Sequence, residues 1–344
     1  MKLDSTALGT LVKRPVRQVR GGTDTGGIVR LLWTVVAVTA FGALGGCNRS
    51  ADLTSVREGA AEKAVRRYDT VQALASRGRV IVAGTQDGAA LVSHDAGVSW
   101  QRKALGSASL IGLTGCPDGT FVGIDFYHRI WSADGNGDNW ASKPLDKPRI
   151  ALAVACDAAS DWWVAGTHST IASSSDRGAT WKVIDLGQDA QITSLQFPAN
   201  GFGIAVGEFG LVVVTTDGGV NWSLRPKIPN DFYPYASLFT SERDGWVSGI
   251  AGQVLVTHDG AHSWNAARNE TRQPLFRLFL QQNTPYATGG EGVLARFEGG
   301  EWREVPYSAR MPVPLAAAAA VEAAGAIVIG GPGGLLRTVA TPGK

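Results

Sequence analysis

The sequence is short of an excess charge, of metal-ligating residues and of any long apolar run. Of its 344 residues, 32 are Lys or Arg and 30 are Asp or Glu, a net of +2. That balance argues against a dedicated nucleic-acid binder. There are 2 Met, 3 Cys and 5 His. The His are scattered with no metal-ligand spacing, so neither a metal nor a cofactor is expected. The uncharged stretch 31–46 has 16 residues, short of the ~20 that a spanning helix needs. No window of 12 residues carries apolar residues at helical spacing, which leaves strands as the regular element. What the sequence does have is 44 Gly and 11 Trp. Gly is about 13% of the chain against a usual ~7%. With 44% hydrophobic residues a large core is available and global disorder is excluded. The composition describes a turn-rich β protein.

The charge is unevenly placed. Residues 1–46 hold 6 basic and 2 acidic residues, which leaves 26 and 28 for the remainder. Lys13, Arg14, Arg17, Arg20 and Arg30 precede or interrupt an apolar run that ends Ala43-Leu44-Gly45-Gly46-Cys47. Basic, then apolar, then small residues is the order of a secretory signal. The ending resembles a bacterial lipobox, which implies a signal peptide over 1–46 and an acylated Cys47 as the first mature residue. An uncleaved membrane anchor is the alternative. Asn48 after the Cys favours the outer over the inner membrane, by resemblance to enterobacterial sorting. Residues 47–60 have no strong period and are expected to be a flexible tether. The folded body is then 61–344.

A repeat organises that body. Ser93-His94-Asp95-Ala96-Gly97-Val98-Ser99-Trp100 returns around Asp134 and Trp140, with one inserted residue, and again around Asp176 and Trp181, Asp217 and Trp222, and Asp259 and Trp264. A worn copy ends at Trp302. The Trp spacings are 40, 41, 41, 42 and 38. Seven apolar segments ending in Gly precede or follow these copies, at 80–84, 121–123, 162–166, 204–207, 246–249, 286–289 and 327–330. From Gly84 to Gly330 is 246 residues over six steps, or 41 per unit. Four strands in such a unit make one propeller blade. The expectation is an all-β, seven-bladed β-propeller of four-stranded antiparallel blades. The last unit has only three strands, so residues near 62–67 are expected to supply its fourth and close the ring.

The S/T-x-D-x-G-x-x-W pattern resembles the Asp-box, or bacterial neuraminidase repeat. Its chemistry is local. The carboxylate accepts backbone N–H groups within its own hairpin, Gly takes a positive φ, and Trp packs between blades. Asp95, Asp134, Asp176, Asp217 and Asp259, with Trp100, Trp140, Trp181, Trp222 and Trp264, are therefore expected to be fold residues, turned away from any ligand. Asp-boxes also occur in sialidases, so a glycoside hydrolase and a glycan-binding module are the alternative readings. The sialidase Arg-Ile-Pro has its best match at Arg129-Ile130-Trp131, without the Pro and inside blade two. Units of 41 residues leave no room for the long insertions of a sugar cleft, and no catalytic residue is assigned. Cys116 and Cys156 end the first strands of neighbouring blades. They form a possible disulfide in an oxidising compartment, provided two blades approach closely enough.

Blade topology sorts the loops onto two faces. The Asp turns define the bottom. The top holds the turns between second and third strands and the connections between blades. There Arg149, Arg225, Lys227, Arg268 and Arg272 contribute charge, and His128, His168 and Glu208 contribute polar turn residues. The longest connection holds Phe232, Tyr233 and Tyr235 and is stiffened by three Pro. These residues are the candidate partner-binding surface, basic and rimmed by aromatics.

Residues 62–344 resemble the photosystem II stability/assembly factor-like propellers. The resemblance rests on Gly245-Trp246-Val247-Ser248-Gly249, on Val206-Gly207-Glu208-Phe209-Gly210 and on the Asp turns. It implies a non-enzymatic, lipid-anchored periplasmic propeller, monomeric, that acts as a scaffold or assembly factor for a membrane protein or membrane-complex subunit.

Overall fold

The seven Gly-ended segments lie in the second strands of seven separate antiparallel sheets. The computed structural model describes residues 63–341, all within one compact unit. The signal, Cys47 and the tether lie outside the described residues. Blade one is Val71–Arg77, Val80–Thr85, Ala89–Ser93 and Gln101–Ala104, paired in sequence order. Blades two to five repeat that order, starting at Leu110–Gly115, Ala151–Cys156, Ile192–Ala199 and Pro234–Phe239. Blade six starts at Leu275–Gln281, and blade seven consists of Ala317–Val321, Ala326–Gly330 and Leu336–Ala340.

No blade has a core of its own. Alternation sends side chains to both faces of each sheet, and both faces are covered by neighbouring blades. The buried side chains accordingly form one cluster per interface, from blades one and two round to blades six and seven and seven and one. Each repeat Trp enters the interface with the preceding blade. Trp140 packs on the blade one–two cluster, Trp181 on two–three, Trp222 on three–four and Trp264 on four–five. Trp302 is wholly buried between five and six. Burial of such a ring contributes about 2 to 3 kcal/mol.

The Asp turns are closed hydrogen-bond units. Asp176 Oδ1 accepts from Thr180 N (2.8 Å) and Ser174 Oγ (2.8 Å), and Thr180 Oγ1 donates to its Oδ2 (2.6 Å). Ser174 Oγ in turn accepts from Gly178 N at 2.7 Å. Asp95, Asp217 and Asp259 repeat this arrangement. In blade two the inserted residue changes the donors, and Asp134 accepts from Asn136 N, Asp138 N and Asn139 Nδ2. These bonds favour the charged form. The amide and side chain of Asn221, then Thr215, pull Asp217 down to about 2, and Asp176 lies lower still. Glycine matters most at Gly219, where φ is +85° and an added Cβ would fall 2.0 Å from the Trp163 ring. Ala261 takes the matching place in blade five at φ +67°.

The ring closes differently from the expectation. Residues 63–67 form no strand, and among the described residues blade seven has three. The segment ends in a turn, in which Asp69 Oδ2 accepts from Arg66 N at 2.7 Å and Asp69 N donates to Arg66 O at 2.9 Å, leading into Val71–Arg77. The segment is instead pinned from blade one. Arg102 Nη1 donates to Ala64 O (3.2 Å) and to both oxygens of the buried Asp69 (3.1 and 2.9 Å), while Nη2 donates to Asp87 (2.9 Å). The seam is completed by Val71 N to Gly331 O (3.0 Å), Gly334 N to Asp69 O (2.8 Å) and Thr338 Oγ1 to Gly97 O (3.0 Å). A second difference is in blade six, where Arg268–Asn269 adds a fifth strand parallel to its outer strand Glu301–Glu304.

Two outcomes are expected. Arg102→Met leaves the buried Asp69 without its cation and costs about 3 kcal/mol, read as a lower urea midpoint by Trp fluorescence; an unchanged midpoint would remove the clamp from the account of closure. Asp217 has a folded pKa below its unfolded one, so its stabilisation is present above about pH 4 and fades as pH falls toward its folded value. Asp217→Asn is therefore less stable than the parent at pH 7, and its stability declines less steeply between about pH 4 and pH 2.

Candidate functional site

The top face is built from turns under strain. Second and third strands are joined by tight turns that require a left-handed residue. In five blades that residue is not glycine: His128 (φ 59°), His168 (54°), Phe209 (56°), Ala251 (58°) and Glu291 (53°). Each such residue costs on the order of 1 kcal/mol, a cost more often kept where a side chain has a use. The same turns expose apolar groups. Phe126 is 61% exposed, Tyr127 57%, Phe209 49% and Ile250 50%.

The turn of blade four and the connection to blade five form one cluster. Glu208 accepts from Gln191 N (3.0 Å), Gln191 Nε2 (3.1 Å) and the Tyr233 hydroxyl (2.8 Å). Its hydrogen bond, and then burial, push the Tyr233 phenol above its ordinary pKa, so Tyr233 is a protonated donor at neutral pH. Gly210 N donates to Phe232 O at 2.8 Å and Ile228 N to Gly210 O at 2.9 Å, fixing the connection onto the turn. Tyr235 is partly exposed and meets the Phe276 ring edge-on at 5.4 Å. Phe232 is a correction. It is buried with Ile228 in the blade four–five core, and a Cβ on Gly249 would fall 2.5 Å from its Cζ. Every second residue of Phe232-Tyr233-Pro234-Tyr235 points outward because the connection is already extended there, so Tyr233 and Tyr235 are exposed and Phe232 is not.

The basic surface is smaller than the count of cations suggested. Arg268 lies on the added outer strand and pairs with Glu270 and Glu301, both at 3.3 Å. Arg102 holds the seam, Lys103 pairs with Asp138 at 2.7 Å, and Arg310 pairs with Glu304. Arg225 is half-buried, its amide donating to Val212 O at 2.9 Å. Arg149, Lys227 and Arg272 are exposed and make no ion pair among the described residues. Arg272 borders a groove of about 510 Å³ with Asn230, Ala251 and Gly252.

His128 and His168 are exposed on neighbouring blades. Among the described residues no group of three or more His, Cys, Asp or Glu could hold a metal ion. Arg129, the match to the sialidase motif, donates to the buried Asp125 at 2.6 Å and lies 5.0 Å from the Trp131 ring centroid. Asp125 also accepts from Trp131 Nε1 at 2.8 Å and Tyr127 N at 2.8 Å. That network sets the blade two turn and presents Phe126 and Tyr127. Phe126 and Ile250 are surface residues that the sequence reading missed. Their signal was apolar residues in turns where other blades carry polar ones. Cys116 and Cys156 are joined in a disulfide with Cα atoms 5.3 Å apart. Two blades come close enough because their innermost strands converge on the axis.

A profile of the family described as "Photosynthesis system II assembly factor YCF48" matches residues 132–272, from the third strand of blade two through blade five. The "Photosystem II assembly lipoprotein Ycf48" of Synechococcus sp. (strain CC9902) is 28% identical over 171 residues. "YCF48 from Cyanidioschyzon merolae" has the same fold, with a TM-score of 0.63 at 16% identity over 80% of this chain and 96% of that one. Over these residues the chain is similar to the photosystem II assembly factors. The Synechococcus match takes in 47% of this chain and 50% of the relative, so it spans about half the length of that protein. A structure titled "YCF48 bound to D1 peptide" is similar at a TM-score of 0.54 and 14% identity, over 67% of this chain and 77% of that one. A "Streptogramin B lyase structure" is similar at 0.68 and 11% identity, over 79% and 93%. At such identities the likeness of the solved structures is one of fold.

The strained turns give a direct test. Phe209→Gly removes left-handed strain and an exposed ring with little burial to lose, so it stabilises the fold by about 1 kcal/mol. A raised urea midpoint is the expected result. A lowered one would mean that the Phe209 ring packs more than its exposure indicates.

Proposed function

We propose that this propeller is a lipid-anchored periplasmic scaffold, held to the envelope through Cys47 and monomeric. Its top face captures a segment of a membrane protein during assembly or for stability. The observation that carries this reading is the set of exposed aromatic and apolar residues on strained top-face turns: Phe126 and Tyr127 on blade two, and Phe209, Tyr233, Tyr235 and Ile250 on blades four and five. Rigid rings supply contact area at low entropic cost, and exposed apolar groups gathered on one face mark interaction sites. Arg149, Lys227 and Arg272 add unpaired positive charge, which sets orientation and on-rate. The match to assembly factors, one of them a lipoprotein and one solved with a peptide, supports a binding role over a catalytic one. The disulfide supports an oxidising compartment such as the periplasm.

The test uses the full lipidated chain, captured from detergent-solubilised envelope beside two variants. One carries Phe209→Ala, Tyr235→Ala and Arg272→Ala on the top. The other carries Val98→Ser and Val220→Ser, which alter exposed residues of the bottom Asp turns. One membrane protein is expected with the parent and the bottom variant, and its recovery falls at least about tenfold with the top variant. Loss with the bottom variant alone would place the interaction on the other face. No membrane protein with the parent would overturn the scaffold reading.

A further inference from the structure

The axis of the propeller holds a cation that no acid answers. A cavity of about 380 Å³ lies between the innermost strands and is lined by residues of blades two to seven, none of them Asp or Glu. Arg277, on the innermost strand of blade six, borders it. Arg277 also borders a second space of about 70 Å³ bounded by the innermost strands of blades two, three and four. Its side chain therefore reaches from one side of the channel toward the other.

The room for it is built by the repeat. In six blades the innermost strand has a register shift near its start. The residue after the shift is Ala73, Gly112, Ala153, Ser194 and Ala236 in the first five blades, and Arg277 in the sixth. Five small residues and one arginine thus share one level of the ring. Arg277 makes no hydrogen bond or ion pair among the described residues. Water reaches it from the channel, yet protein surrounds it on every side, and burial pushes its guanidinium below the ordinary value. A guanidinium does not escape by deprotonating near neutral pH. Its strand partner Thr288 is directly opposite in the register and is wholly buried, and the Thr288 hydroxyl has no hydrogen-bond partner. Ser194 Oγ and Ser237 Oγ, 2.7 Å apart, line the same cavity.

A buried charge is normally paired, and an Arg fork with hydroxyl donors beside it suits an oxyanion. We infer that the channel is a binding site for a small oxyanion, a free carboxylate or an inorganic tetrahedral anion, held by Arg277 with the one hydroxyl of the Ser194–Ser237 pair that their mutual hydrogen bond leaves free to donate. The cavity adjoins the top-face surface at Tyr235, which lines it, but the anion site rests on Arg277 and stands whether or not that surface binds a protein.

The experiment is a melting series on the full chain in detergent, followed by Trp fluorescence at constant ionic strength. Chloride is replaced stepwise by sulfate, phosphate, acetate or succinate. Saturable stabilisation of roughly 2–5 °C is expected, and whether the tetrahedral or the carboxylate anions give it at lower concentration names the source. Arg277→Met keeps the length and removes the charge. It should melt no lower than the parent in chloride and show no saturable response. Arg277→Lys should keep a response with a weaker midpoint. The same saturable response in Arg277→Met, or none in the parent, would overturn the proposal. If Arg277→Met melts well below the parent in chloride, the guanidinium has a structural partner and the proposal also fails.

Discussion

A blade of this protein cannot bury its own faces. Each sheet has two apolar sides and only a neighbour can cover them, so the seven interblade clusters exist together or not at all. This constraint makes the seam between blades seven and one the place where stability is decided. Elsewhere the chain runs continuously from one blade to the next. At the seam only non-covalent contacts join blade seven to blade one among the described residues, the shared apolar cluster and the hydrogen bonds to Gly331, Gly334 and Gly97, while the Arg102 clamp on Asp69 and Ala64 holds the segment before blade one in place for them. Arginine suits the task because its fork reaches two carboxylates and a carbonyl at once.

The two faces answer different needs. On the bottom, Asp95, Asp176, Asp217 and Asp259 consume their own turn's donors and hydroxyls, so those hairpins are self-satisfied and need no ligand. On the top, the turns are fixed by backbone bonds to the adjoining connections, as in Leu105 N to Gly88 O and Leu145 N to His128 O. Side chains such as Phe126, Phe209 and Ile250 are then left facing solvent, while Asp125 and Glu208 hold their turns by hydrogen bonds of their own. A fold that stabilises one end with local carboxylates leaves the other end free to vary.

Much of this was legible because it is local. The 41-residue spacing located seven second strands, and the Asp–Gly–Trp spacing located the bottom turns and their indoles. What failed was non-local. The 62–67 segment reads as a strand by elimination, but it ends in the Asp69 turn, and the acceptor of Arg102 lies 33 residues away. Phe232 reads like Tyr233, and only the packing of Ile228 and Gly249 distinguishes a buried ring from an exposed one. Arg268 reads as a loop cation, but an added parallel strand places it beside Glu301. The channel arginine gave no periodic signal, because five small residues at its level mean something only once the strands are arranged around an axis.

The disulfide between blades two and three has a mechanical consequence. It spans 40 residues, from the end of one innermost strand to the end of the next. A pull applied from the residues before Lys63 would strip the seam first, then blade one, then the innermost strand of blade two. At Cys116 the force passes through sulfur to Cys156, and the intervening 39 residues carry none of it. What the bridge shields is the bypassed stretch 117–155, the rest of blade two and most of the innermost strand of blade three, which tension from the N-terminal side cannot unravel while the bond holds; the load is delivered instead to blade three at Cys156.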